Sequence, residues 1–148
     1  MKTLIRVLLV ALLISTIGSQ HALAQTSGHA SAVPSPVVDA GDYVYISAQG
    51  PRRADGSLPA TFAEQVRQTL ENLEAVVKSA GLSVDHVVYT QVYLEDMGKY
   101  GEMNTAFAGR FGKTPPARAV LGVAKLPDPS IAITAVVFPI HAPRSLRL

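Results

Sequence analysis

Thr61 to Leu94 reads TFAEQVRQTLENLEAVVKSAGLSVDHVVYTQVYL, and the period of its apolar residues changes once, at Gly81. Before that glycine, Phe62, Val66, Leu70, Leu73, Val77 and Ala80 recur at helical spacing. Thr61 followed by Glu64 is a capping-box pattern, and Gly81 suits the position just past a helix end. Glu64, Arg67, Glu71, Glu74 and Lys78 fall on the other face as an ordinary solvated surface. The spacing predicts a helix over 61–80. After the glycine, His86 to Leu94 is rich in β-formers and predicts a strand that is partly apolar on both faces.

The same reading extends outward. Tyr43 to Gln49 alternates as a strand does, and Val37-Val38 supplies a short partner before the Ala40-Gly41-Asp42 turn. Gly50 to Pro59 is a loop in which Arg52 and Arg53 read as solvated charges. Lys99 to Phe111 predicts a second helix with Tyr100, Met103, Phe107 and Phe111 as its stripe, ended by Gly112; these aromatics read as core. Ala117 to Leu126 and Ile131 to Phe138 are two further strands, separated by Pro127-Asp128-Pro129. The order β(β)αβαββ implies an α+β domain, a mixed sheet with two helices packed on one face. The opposite face has no helix to cover it. Apolar residues such as Val87, Val88, Val92 and Leu94 are assigned to both faces, so a partner subunit is expected as the cover.

The chain is 148 residues long, room for one domain with a real core and too short for two ordinary ones. Lys2 and Arg6, the apolar run Leu4 to Ile17 and Ala22-Leu23-Ala24 before Gln25 have the layout of a cleaved signal peptide. The apolar stretch after Arg6 is shorter than the roughly 20 residues a spanning helix needs. The expected divisions are a signal peptide over 1–24, a flexible leader over 25–34, the domain over 35–140 and a tail over 141–148. The expected location is the periplasm or the medium, with no membrane attachment after cleavage. The sequence has 13 Lys and Arg against 11 Asp and Glu. Removing Lys2 and Arg6 leaves the mature chain near neutrality, which argues against a nucleic-acid partner held by phosphate neutralisation.

Chemistry-bearing residues are few. Cysteine is absent, so no disulfide, thiolate nucleophile or Cys-ligated metal is possible. His21, His29, His86 and His141 have no metal-ligand spacing, and no metal is expected. Gly50 and Gly56 make no phosphate loop, and Ser47 lacks a nucleophile-elbow context. Arg118 stands out, because it opens the otherwise apolar strand Ala119 to Ala124. A guanidinium there either reaches back to water or grips a planar carboxylate with its fork of donors. The residues alone leave both open.

Several stretches together resemble the RidA (YjgF/YER/UK-type) family. Asp42 to Gln49 is similar to its early strand, Gln65 to Leu73 to its first helix and Ala80 to Val88 to its helix-to-strand junction. Tyr100 to Asn104 with Phe107 resembles its second helix, and Pro115-Pro116-Ala117-Arg118, followed by Leu126-Pro127, is similar to its signature. The resemblance runs from about Ser35 to Phe138. It implies a chorismate-mutase-like fold and a homotrimer with clefts between subunits. It also implies hydrolysis of small 2-imino and enamine acids to 2-keto acids and ammonia, as by a 2-iminobutanoate/2-iminopropanoate deaminase, without a cofactor. In that picture Arg118 grips the substrate carboxylate, Ser47 and Asn104 lie near the cleft, and Gln49 to Pro51 line the neighbouring loop.

Three positions depart from the family pattern. Pro34 stands where an aromatic is usual, and Val120 occupies a small-residue or cysteine position beside the cleft. Thr134 replaces the last-strand glutamate that holds the attacking water. A hydroxyl hydrogen-bonds a water but does not take its proton at neutral pH, and losing general-base help costs about 10²–10⁴-fold. Arg118 and Thr134 are therefore the expected catalytic pair, weakened at Thr134, with Ser47, Gln49, Asn104 and Val120 beside the substrate. The rival reading is a noncatalytic trimeric module that binds small carboxylates through Arg118.

Overall fold

The computed structural model describes residues 35–139. The signal peptide, the leader and the tail expected at the two ends lie outside them. Seven elements follow in order: β1 (Val37–Asp39), β2 (Val44–Gln49), α1 (Phe62–Ser79), β3 (Val87–Leu94), α2 (Tyr100–Phe107), β4 (Ala117–Gly122) and β5 (Ile131–Val137). The strands form one sheet in the order β1-β2-β5-β3-β4, antiparallel throughout except for the parallel pair β3–β4. A parallel pair needs a crossover, and α2 lies in it. No helix among the described residues is long and apolar enough to cross a membrane.

α1 begins and ends as its sequence requires. Thr61 Oγ1 accepts from the Glu64 N–H at 3.3 Å, and Glu64 Oε2 accepts from the Thr61 N–H at 3.1 Å. Such a cap contributes on the order of 1 kcal/mol. The Thr61 N–H, and after it the Thr61 hydroxyl, hold the Glu64 carboxyl below its ordinary range. At the other end the Gly81 N–H donates to Lys78 O and the Leu82 N–H to Val77 O, with Gly81 at φ 73°. This is the paired closure that a left-handed glycine permits. The buried stripe Phe62, Val66, Leu70, Leu73 and Val77 meets Ile46, Val92, Leu94, Ile131, Ile133 and Val137 from the sheet, and Met103 and Phe107 of α2 join the same core. Both helices thus share one core on one side of the sheet.

The structure corrects the sequence expectation in three places. α2 stops at Phe107 rather than Phe111, because Ala108 leaves helical geometry and Gly109 and Gly112 turn the chain at φ 73° and 65°. Phe107 and Phe111 still pack together, with ring centroids 5.9 Å apart, so a turn preserves what looked like helical periodicity. β4 ends at Gly122 rather than Leu126, since its partner β3 ends at Leu94 and offers no further ladder. Val87, Val92 and Leu94 all lie in the core, whereas Val88 is the extra residue of a bulge, where Val87 and Tyr89 face successive partners Val137 and Val136.

The sheet's other face therefore carries a different set of residues. Tyr89, Gln91 and Tyr93 alternate along β3 and are joined side by side: the Tyr89 hydroxyl donates to Gln91 Oε1 at 3.1 Å, and Gln91 Nε2 donates to the Tyr93 hydroxyl. Leu121 lies beside Tyr93 on β4, and Tyr45 lies on the same face of β2, across β5 from Tyr89; both are exposed.

Candidate functional site

Arg118 pairs in register with Thr90, Val120 with Val92 and Gly122 with Leu94. Residues that pair face the same way, so Arg118 and Val120 look toward the helix side at the free edge of the sheet. There the crossover leaves a cleft of about 620 Å³. β3 and β4 supply Thr90, Arg118 and Val120; the segment leading through α2 supplies Met97, Tyr100, Asn104 and Phe107. The loop after α2 completes it with Phe111, Pro115 and Pro116.

The guanidinium of Arg118 rests among neutral groups. Nη2 donates to Asn104 Oδ1 at 2.5 Å, Nη1 lies 3.7 Å from the Met103 sulfur, and the guanidinium carbon sits 4.9 Å from the centroid of the Phe107 ring. The ring face and the thioether steady the cation without neutralising it. The ion pairs among the described residues are Arg52–Asp128, Lys78–Glu74 and Arg110–Glu74; none involves Arg118. No carboxylate lines the cleft. The Thr90 hydroxyl beneath it is buried without a hydrogen-bond partner. No cluster of three or more His, Asp or Glu that could hold a metal ion occurs among the described residues.

The structure thus brings together three of the six residues singled out from the sequence: Arg118, Asn104 and Val120. Thr134 pairs with Gln91, and Gln91 alternates with Thr90, so Thr134 faces the opposite side of the sheet from Arg118 of the same chain. Ser47 Oγ donates to Ser35 O at 2.6 Å and its N–H to Pro36 O at 3.0 Å, which ties β2 to the start of the domain. Gln49 Nε2 donates to Ser47 O at 2.9 Å. Neither Ser47 nor Gln49 lines the Arg118 cleft. Met103 and Phe107 were legible only as core. Phe107 is indeed 8% exposed, yet it is also the plate under the guanidinium. The available signal was the helical spacing of Met103, Asn104 and Phe107, which gathers all three on one side of α2.

Comparison with known proteins places the chain in a family. Residues 25–138 match the family model described as Endoribonuclease L-PSP. A 2-iminobutanoate/2-iminopropanoate deaminase of Escherichia coli K12 is 38% identical over 104 residues, covering 67% of this chain and 81% of that protein. The crystal structure of RidA from the Antarctic bacterium Psychrobacter sp. PAMC 21119 superposes with a TM-score of 0.69 at 31% identity, covering 74% of this chain and 91% of that one. Escherichia coli TdcF, solved with bound serine, superposes with a TM-score of 0.68 at 33% identity, covering 72% and 89%. The order of strands and helices and these matches agree: the chain belongs to the RidA family.

Proposed function

We propose that this protein hydrolyses 2-imino acids, and the enamines in equilibrium with them, to 2-keto acids and ammonia. The observation that carries the reading is the Arg118 guanidinium, exposed in a cleft and held only by neutral partners. A planar substrate carboxylate is the natural counter-charge for such a fork. The relative that is a deaminase and the relative that holds serine support the same ligand chemistry. In the reaction, water adds to the imine carbon and a C–O bond forms as nitrogen takes a proton. The carbinolamine then collapses: its hydroxyl proton passes to nitrogen, the C–N bond breaks, and ammonia leaves a 2-keto acid. Arg118 fixes the carboxylate and so orients the adjacent C=N, and orientation alone supplies a large part of the acceleration for an activated imine.

Thr134 lies on the far side of the sheet from Arg118 of its own chain, so it meets a substrate held by an arginine only if that arginine belongs to another copy. The proposal therefore includes a homotrimer packed through the open sheet face that bears Tyr45, Tyr89, Tyr93 and Leu121. It also includes export by residues 1–24. An intact mass beginning at Gln25 in periplasmic protein supports export; Met1 retained on the soluble protein refutes it.

The decisive experiment couples an amino-acid oxidase to the protein and follows imine loss above the spontaneous rate, beside a thermal-shift screen of carboxylic acids. Turnover that vanishes in Arg118→Ala establishes the deaminase. Stabilisation by carboxylates with no turnover of any imine establishes the binding module instead. A monomeric mass in light scattering removes Thr134 from the mechanism.

A further inference from the structure

The oxygen that holds Arg118 belongs to an amide, Asn104. Given the reading of Arg118 as the group that receives a carboxylate, we infer that Asn104 is the positioning residue of the cleft. Its neutral oxygen aims the guanidinium without neutralising it, and this choice of group sets how tightly the cleft takes an anion. A guanidinium has N–H donors and no acceptor, so the amide meets it with Oδ1, and the 2.5 Å contact fixes which way the amide turns. Asn104 is itself fixed by its neighbours on α2. Met103 and Phe107 are buried in the core, and both also meet the guanidinium, the sulfur at 3.7 Å and the ring centroid at 4.9 Å. A long side chain at a sheet edge loses rotamer freedom when it grips a ligand. The packing of α2 imposes much of that order before a ligand arrives, and preorganisation of this kind raises affinity. The hydrogen bond lies within one chain, between α2 and β4, so it is present whichever copy closes the cleft.

Aspartate has nearly the shape of asparagine and would hold the arginine at least as firmly, since a bond between ionised groups is the stronger one. The same molecule shows the consequence. Asp128 takes two donors of Arg52 on one oxygen, at 2.9 and 2.6 Å. A guanidinium engaged in that way has no charge left for a ligand. Arg118 and Tyr100 are the titratable residues that line the cleft, so no acid in its lining competes with an incoming anion.

Calorimetric titration of the whole protein with pyruvate from pH 7 to pH 3 tests this on wild type, Asn104→Asp and Asn104→Ala. At pH 7, Asn104→Asp is expected to weaken binding by about ten- to a hundredfold, as large a loss as removing the guanidinium, although Arg118 is still there. Its melting temperature should be no lower than that of wild type. Asn104→Ala loosens the fork but keeps its charge, and should lose less, about two- to tenfold. The ratio of wild-type to Asn104→Asp affinity cancels the titration of pyruvate itself. It should shrink as the pH falls, because protonation gives Arg118 a neutral partner again. A hundredfold preference for the protonated form is felt from about two pH units above the pKa of the new carboxyl. Equal affinity in Asn104→Asp and wild type overturns the inference. Equal losses in the two variants, with a ratio that does not move with pH, overturn it too, because shape and not charge would then decide. Unchanged affinity in Asn104→Ala overturns it even if the aspartate variant fails to fold. A wild type that binds no pyruvate refutes the carboxylate reading of Arg118, and the role of Asn104 falls with it. Absence of imine turnover refutes the deaminase reading alone, since every quantity here is an affinity.

Discussion

Two arginines in this domain carry the same charge into opposite circumstances. Arg52, in the loop after β2, donates through Nε and Nη2 to Asp128 Oδ1 at 2.9 and 2.6 Å and through Nη1 to Gly56 O at 2.7 Å. Asn72 of α1 fastens the same loop by donating to Gly50 O and Arg52 O. Glu95 fastens the facing loop by accepting from the Leu126 and Ser130 N–H groups. This part of the domain is closed by matched charges. Arg118, on β4, has an amide oxygen, a sulfur and an aromatic ring for company and no acid. One guanidinium has spent its charge on architecture; the other has no acid beside it, and in the proposed function it holds the substrate carboxylate. Partner chemistry, more than exposure, separates a structural arginine from a binding one, since both side chains reach solvent.

The largest expected effect follows from that contrast. Arg118→Ala should weaken carboxylate binding by about ten- to a hundredfold, the value of a charge-assisted hydrogen bond of roughly 1.5–3 kcal/mol. It should leave the melting temperature nearly unchanged, because no buried ion pair is broken. Arg118→Lys should lose most of the same affinity, since an ammonium lacks the planar fork. Calorimetric titration with a nonreactive 2-keto acid measures both. Affinity unchanged in the alanine variant would return Arg118 to a residue that merely reaches for water.

Much of this organisation was legible in the sequence because it is local. The Thr61–Glu64 box, the Gly81 closure and the apolar stripe of α1 are each read within a few residues, and each is found as read except that the stripe ends at Val77, with Ala80 exposed at the cap. The second helix was read too long because Phe107 and Phe111 keep helical spacing through a turn, and two left-handed glycines outweigh an apolar pattern. Non-local pairing was not legible. Arg52 read as a solvated charge because its acid lies 76 residues away. Arg118 was visible as an anomaly, yet its neutral cradle of Met103, Asn104 and Phe107 depends on where α2 crosses β4. The separation of Thr134 from Arg118 depends on strand register, which a list of family positions does not carry.

A second prediction concerns how the cleft is held open. Its rim depends on backbone shape. Gly112 sits at φ 65°, and a Cβ placed there would strike the Asp85 carboxylate. Gly112→Ala should destabilise the domain by about 1–2 kcal/mol from the left-handed conformation alone. It should also displace the neighbouring Phe111 and so weaken carboxylate binding. Urea unfolding measures the first effect and titration the second. An unchanged midpoint would mean that the loop reaches the same path without its glycine.

The charged region should respond less. Arg52→Ala removes a pair whose side chains are 46% and 31% exposed, and surface pairs contribute up to about 1 kcal/mol. The midpoint of urea unfolding should fall by no more than that, and added salt should shrink the difference between wild type and variant. Carboxylate affinity should be unaffected. If Arg52→Ala weakened binding as much as Arg118→Ala, the division between an architectural and a ligand-binding arginine would fail.

The smallest effect is a pH dependence confined to the charged region. The Leu126 N–H, and after it the Ser130 N–H, donate to the Glu95 carboxylate and hold it below its ordinary range, while Lys125 adds a weaker pull in the same direction. A depressed folded-state value means that the folded form favours the charged carboxylate, so the stabilisation is fully present above the ordinary glutamate range. It is lost as the pH falls through that range and then through the lower folded-state value. Glu95→Gln removes the charge and keeps one of the two acceptor oxygens that the Leu126 and Ser130 N–H groups use. The variant should therefore be slightly less stable than wild type at neutral pH, and the difference should close as the solution is acidified below about pH 4. Unfolding midpoints for both proteins from pH 7 to pH 3 test this. A difference that stays constant over that range would show that Glu95 acts through its shape rather than its charge. The loop between β4 and β5 would then be held as the cleft is, by neutral contacts, and the two parts of the domain would not be as unlike as their arginines suggest.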